Sequence, residues 1–246
     1  MSPRPPRLIE NTSLSESIRV AAWQQIAEFG APALSLRAIA RSLGITAPAI
    51  YNYFPDRDAL VTALVVEAFN SFGDSQLAAR DAIPAGDLAG RFLATGWAYR
   101  QWALTYPQRY QLIFGTPLPG YVPPSEQVFP AGARALSALA GVIEDLRTAG
   151  RLRTEHFPKP NLDGHIPLFN LWKSHAVDVA PVSLSIAVLI WARVHGLVSL
   201  EIGGCLPPFE PGGEALFRFE LESIRREFIK EESINPAAEQ LGWGQK

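Results

Sequence analysis

Cysteine is almost missing from this chain. The single Cys205 among 246 residues excludes an internal disulfide framework and agrees with a reducing compartment. Histidine is scarce as well: His156, His165, His175 and His195 are separated by 9, 10 and 20 residues, so no HxxxH or HExxH pair exists and no metal is expected. Charge of one sign is also lacking. The net charge is −2, and the first sixty residues hold six arginines against five acidic residues. This does not argue for strong nonspecific affinity for nucleic acid, and a small, specific footprint with few phosphate contacts fits better than a polybasic one. No run of eighteen or more residues is free of charged or helix-breaking residues, so a membrane span is not expected. The opening MSPRPPRLIENT is rich in Pro and Arg and has no apolar signal region, which points to the cytoplasm. Strand-type alternation and internal repeats are absent. So are a phosphate loop, a nucleophile elbow and a dinucleotide fingerprint, and no cofactor is expected. The carboxylates offer no acid–base pair either. Glu144 and Asp145 are adjacent and diverge on a helix, while Glu220, Glu222, Glu227, Glu231 and Glu232 interleave with Arg225, Arg226 and Lys230 as a solvated face.

What is present is concentrated in SLRAIARSLGITAPAIYNYFPDRDAL, residues 35–60. Leu36, Ile39, Ala40 and Leu43 recur at helical spacing behind Ser35, a good N-cap. Gly44 ends that helix, because glycine alone enters the left-handed conformation without steric cost, and Ile45 turns back to the core. A second helix starts at once, with Thr46 as its cap, Pro48 in its first turn and Ile50 with Phe54 as an apolar pair. The small Ala40 lets the two helices cross closely. This is a helix-turn-helix over 34–54. Its second helix leaves Ala47, Pro48, Ala49, Tyr51 and Asn52 outward, with Tyr53 on the flank. Small residues allow close approach to a major groove, Asn pairs with adenine, and Tyr hydroxyls suit phosphates. Arg37 and Arg57 would clamp the backbone on either side.

Around this core the chain resembles the DNA-binding domain of the TetR (tetracycline-repressor-like) transcriptional regulators. The matching pieces are AAWQQIAEFG at 21–30, the stretch at 34–60 and the apolar helix that follows. The resemblance covers about residues 11–71 and implies an N-terminal three-helix DNA-binding domain. By position it implies DNA contacts from Ser35, Arg37, Thr46, Ala47, Pro48, Ala49, Tyr51, Asn52, Tyr53 and Arg57. Tyr53 stands where the family very often has histidine, and Arg57 where it usually has lysine. Both keep a phosphate-directed donor and alter its reach, so the operator sequence does not transfer.

The remaining periodic segments are helical, and the expected fold class is all-α. Residues 1–10 read as a disordered arm, from which Arg4 and Arg7 could reach a minor groove. Ser13 with Glu16 caps a first helix that runs to Gly30 with Ile18, Ala22, Ile26 and Phe29 on its inner face. A helix from Asp56 carries Leu60, Leu64, Ala68 and Phe72, and the domain boundary is expected within Gly73–Asp87. A larger helical domain, 80–232, precedes a polar tail at 233–246. In it Leu184, Val188, Trp191, His195, Val198 and Ile202, then Phe217, Leu221, Ile224 and Phe228, follow alternating three- and four-residue spacing, as a two-fold four-helix interface of a homodimer would require. Ile186, Ile190, Val194 and Leu197 cover the opposite side of the first of these helices. WARVHGLVSLEIGG and WAYRQWALTYPQRYQLIFG resemble the Trp-His-Gly type of TetR C-terminal domain, which implies a ligand-binding and dimerisation domain. Trp97, Trp102, Tyr110, Phe114, Phe169 and Trp172 could line its cavity, with Arg100 and His175 orienting a ligand.

The expectation is thus a cytoplasmic regulator, a repressor released from a palindromic operator by a small apolar inducer. An all-α enzyme or binding protein with a merely structural helix-turn-helix stays open at this point. So does a ligand-independent or activating regulator.

Overall fold

The computed structural model describes residues 14–155, 172, 174–207 and 212–230. Its elements are α1 (Leu14–Phe29), a 3-10 turn (Ala31–Ala33), α2 (Leu36–Leu43), α3 (Ala47–Tyr51), α4 (Arg57–Asp81), α5 (Leu88–Thr105), α6 (Pro107–Phe114), α7 (Ser125–Thr148), α8 (Pro181–Ile202) and α9 (Glu214–Phe228). The fold is all-α. Among the described residues the one β-type contact is an isolated antiparallel bridge between Leu152 and Ile229. The expected arm, the Ser13 cap, His156, His165, Phe169 and the polar tail lie outside the described residues.

Contacts divide the chain into two units. One comprises the described residues up to Asp74 with Gln101–Ala135; the other comprises Ser75–Arg100 with the described residues from Leu136 onward. In the first, Ile18, Ala22 and Ile26 of α1 share a core with Leu36, Ile39 and Ala40 of α2, Ile50 of α3, Phe54, and Leu60 and Leu64 of α4. Phe29 differs from expectation: it is 61% exposed, because it falls on the last residue of α1 and points past the core. Leu112, Ile113, Leu118, Tyr121 and Val128 pack on the same core, which is why 101–135 group with the N-terminal helices. A charged hub supports this packing. Glu67 of α4 accepts the Trp23 indole N–H at 2.9 Å and pairs with Arg19 at 3.1 Å and Arg109 at 3.4 Å, while the Arg109 guanidinium lies 4.9 Å from the Trp23 ring centre.

The boundary expected from Gly73 is not a break in the helix. α4 runs through it to Asp81, and a Cβ at Gly73 would stand 3.1 Å from the Ala135 Cα. Glycine here serves close approach of α7 rather than a turn. The chain turns further on, where Ile83 N–H bonds Arg80 C=O and Asp87 N–H bonds Pro84 C=O.

In the second unit α8 is the central apolar element. By length and composition it could cross a membrane, yet Ile186, Ile190, Val194 and Val198 are buried in this unit's core. Its first turn has no capping side chain of its own. Glu144 of α7 supplies one, accepting from the Ala180 N–H at 3.2 Å and the Ser183 hydroxyl at 2.7 Å. α9 packs on α5: the Phe217 and Trp97 ring centres are 5.2 Å apart, and Leu221 fills the space that a Cβ on Gly96 would take.

Candidate nucleic-acid interface

α2 is set by its ends. The Ser35 hydroxyl accepts from the Ala38 N–H at 3.4 Å, and the Ser35 N–H itself donates to the Gln25 side chain of α1 at 2.8 Å. Gln25 is a support that the sequence did not mark, since nothing in its spacing pairs it with Ser35. At the other end Gly44 takes φ 67°, and the Ile45 N–H returns to the Ala40 C=O at 3.0 Å, closing the turn that the glycine promised. α3 follows with Pro48 in its first turn and Ile50 fully buried. Thr46 occupies the N-cap, but its side chain makes no capping hydrogen bond, a difference from expectation.

Burial beneath Ile50 and Phe54 leaves the opposite side of this element outward. Arg37, Thr46, Pro48, Asn52 and Tyr53 are exposed, Tyr51 is 41% exposed, and Ala47 and Ala49 are partly covered. Ser35, Arg37, Tyr51 and Arg57 line one open cleft of about 350 Å³ together with Leu34, Leu36, Pro55 and Asp56. Arg57 is less free than its sequence position implies. Its guanidinium donates to the Ala31 C=O at 3.3 Å and lies 3.6 Å from Asp58. Arg41, one turn beyond Arg37 on α2, is a further exposed cation.

The residues expected to line a ligand cavity are distributed between the two units. In the first, the Trp102 indole N–H donates to Ser71 at 3.0 Å, its ring lies 4.9 Å from Phe72, and Tyr110 and Phe114 join Phe69 and Phe72 in an edge-to-face cluster. In the second, Trp97 is covered by Phe217 and by Arg218, 5.2 Å from its ring centre. Arg100 is committed elsewhere: its guanidinium donates to both Glu201 oxygens at 2.9 and 2.6 Å and to the Gly212 C=O at 2.8 Å. Trp172 is buried, its indole N–H without a hydrogen-bond partner among the described residues, and His175 is exposed.

Five of the ten residues expected at a dimer interface face inward instead. Phe217, Leu221, Ile224, Phe228 and Val198 are at most 2% exposed within one protomer. The apolar stripe of α9 is enclosed by its own chain, with Phe217 and Leu221 against α5. What stays outward is Val188, Leu189 and Leu200 on α8 with Leu216 and Phe219 on α9, Phe219 at 71% exposure. Leu184, Trp191, His195 and Ile202 are partly covered. His195 accepts or donates at both ring nitrogens, to the Tyr99 hydroxyl at 2.9 Å and Ser199 at 3.3 Å, and stacks on Trp191. Burial holds its pKa below the usual histidine value. No group of three His, Cys, Asp or Glu side chains suited to a metal occurs among the described residues.

Comparison with known proteins identifies the family of the fold. The family described as bacterial regulatory proteins, tetR family, matches residues 18–64, and the tetracyclin repressor-like C-terminal domain matches residues 92–224. An HTH-type transcriptional regulator of Mycobacterium bovis is 33% identical over 183 residues, which cover 74% of this chain and 77% of the relative; one from Mycobacterium tuberculosis gives the same figures. The crystal structure of a candidate regulatory protein, SCO4313, is 37% identical with a TM-score of 0.69, covering 89% of this chain and 98% of that one. The SmeT–triclosan complex is 16% identical with a TM-score of 0.59, covering 89% and 92%, a likeness of fold alone. With both halves matched in this way, the chain belongs to the TetR family of DNA-binding transcriptional regulators.

Proposed function

We propose that this chain is a cytoplasmic homodimeric repressor that binds a palindromic operator through Ser35–Arg57 and leaves it when a small, apolar molecule enters the domain at 80–232. One observation carries the DNA-facing assignment: Arg37 and Tyr51 share an open cleft with Ser35 and Arg57, while Ile50 and Phe54 are buried beneath. Arg37 then meets phosphate and Tyr51 the groove, with Ala47, Pro48 and Ala49 giving close approach. The outward stripe of Val188, Leu189, Leu200 and Phe219 supports pairing of two copies, which spaces two readers roughly 34–36 Å apart. A small apolar effector is supported by a relative in fold whose structure holds triclosan. Such a ligand shifts the protein off DNA only by as much as its affinity differs between the two states.

The test is a mobility shift on a duplex selected from random DNA, with excess nonspecific competitor. Tyr51→Ala weakens the specific complex by about 1–3 kcal/mol, and Arg37→Ala flattens the salt dependence by about one unit per subunit. Unchanged binding by both variants would refute the assignment.

A further inference from the structure

We propose that Tyr121, which lies outside the helix-turn-helix, is a positioning residue for DNA recognition: it fixes the start of α4 and with it the placement of the reader. This rests on the reading of Ser35–Arg57 as the DNA surface. The local sequence builds the device. In Leu118-Pro119-Gly120-Tyr121, proline presets the second position and Gly120 takes φ 78°, while the Tyr121 N–H donates to the Leu118 C=O at 3.1 Å. That is a type II turn, which needs a residue tolerant of positive φ at its third position. The turn presents Tyr121 to α4, its hydroxyl 3.0 Å from Thr62 Oγ1. Thr62 gives its own proton to the Asp58 C=O at 2.9 Å, so Tyr121 is the donor in the shared bond. Thr62 is 6% exposed, and water does not readily replace a partner lost there.

Thr62 sits one turn from the junction between reader and α4. Asp56 caps α4 through the Ala59 N–H at 2.7 Å, and Arg57 reaches back to the Ala31 C=O just ahead of α2. Leu118 and Tyr121 pack on the same core as Ile50, the buried residue of α3. The loop therefore holds the first turns of α4 by a hydrogen bond and by apolar contact, and contributes no group to the outward surface at 35–57. A tyrosine that merely stabilised the unit would change melting. One that positions the reader changes discrimination between DNA sequences.

The experiment uses the full-length chain, a duplex recovered by selection from random DNA and a scrambled duplex of equal length. Affinities for both are measured across a salt series for Tyr121→Phe, Thr62→Val and the double variant, alongside thermal melts. The expected result is that Tyr121→Phe lowers the ratio of specific to nonspecific affinity on the order of two- to tenfold, the range of one lost hydrogen bond. The nonspecific affinity and the salt slope stay as in the wild type, and the double variant is no worse than Thr62→Val alone. Specific and nonspecific affinities falling together with the melting temperature, or an additive double variant, would overturn the proposal. If the wild type selects no duplex, the DNA reading fails and this inference with it. If the wild type discriminates and Tyr121→Phe discriminates equally, only the inference fails.

Discussion

The Arg100 guanidinium is enclosed with the Glu201 carboxylate, the two side chains 9% and 10% exposed. An arginine among aromatics reads from sequence as a group waiting for a ligand. Its partner is 101 residues away, and no spacing rule joins residues at that distance. Truncation would leave a buried carboxylate without its counter-charge, the costly half of a buried ion pair. Arg100→Ala is therefore expected to lower stability by about 3–5 kcal/mol in urea titration, whereas Arg100→Met with Glu201→Leu loses much less. Arg57 teaches the same point from the DNA side. Its place in the chain was legible, but its hold on the Ala31 carbonyl was not.

Among the elements, the helix-turn-helix was the most legible, because Gly44, Ile45 and Ile50 each answer a local demand: a left-handed turn, a return to the core and a buried pair. The two last helices were legible as helices, but the inward turn of the α9 stripe was not. Spacing shows that Phe217, Leu221, Ile224 and Phe228 share a side, but an intramolecular core and a subunit interface impose the same spacing. α8 adds a dependence hidden in the sequence, since its N-terminus is capped from α7. The Glu144 carboxyl is held at about 2, below its ordinary 4.5, chiefly by the Arg147 hydrogen bond and then by those from Ser183 and Ala180, against burial that raises it. A carboxyl lowered on folding contributes stability above its unfolded value, and that contribution is lost as pH falls from about 4.5 towards 2. Glu144→Gln is expected to melt a few degrees lower at pH 7, as for a loss of about 1 kcal/mol. The gap from wild type should close as the melts are repeated towards pH 3.

For the whole molecule the outward apolar residues of α8 and α9 set how two copies associate. Phe219 is exposed and Leu221, two positions on, is buried, so the two separate association from folding. Phe219→Glu should give monomers in sedimentation with unchanged helical content. Leu221→Ala should instead cost about 2–5 kcal/mol of stability, as a cavity does. A weakened dimer from Leu221→Ala at full stability, with Phe219→Glu still dimeric, would return the interface to the buried stripe. α3 spans five residues, far below the ~12–15 at which a helix is even marginal alone in water, and it exists because Ile50 is fully enclosed. The reader has no private stability to lose first. Its competence and the core beneath it disappear in a single cooperative event, with coincident midpoints for DNA binding and for the melting of this unit.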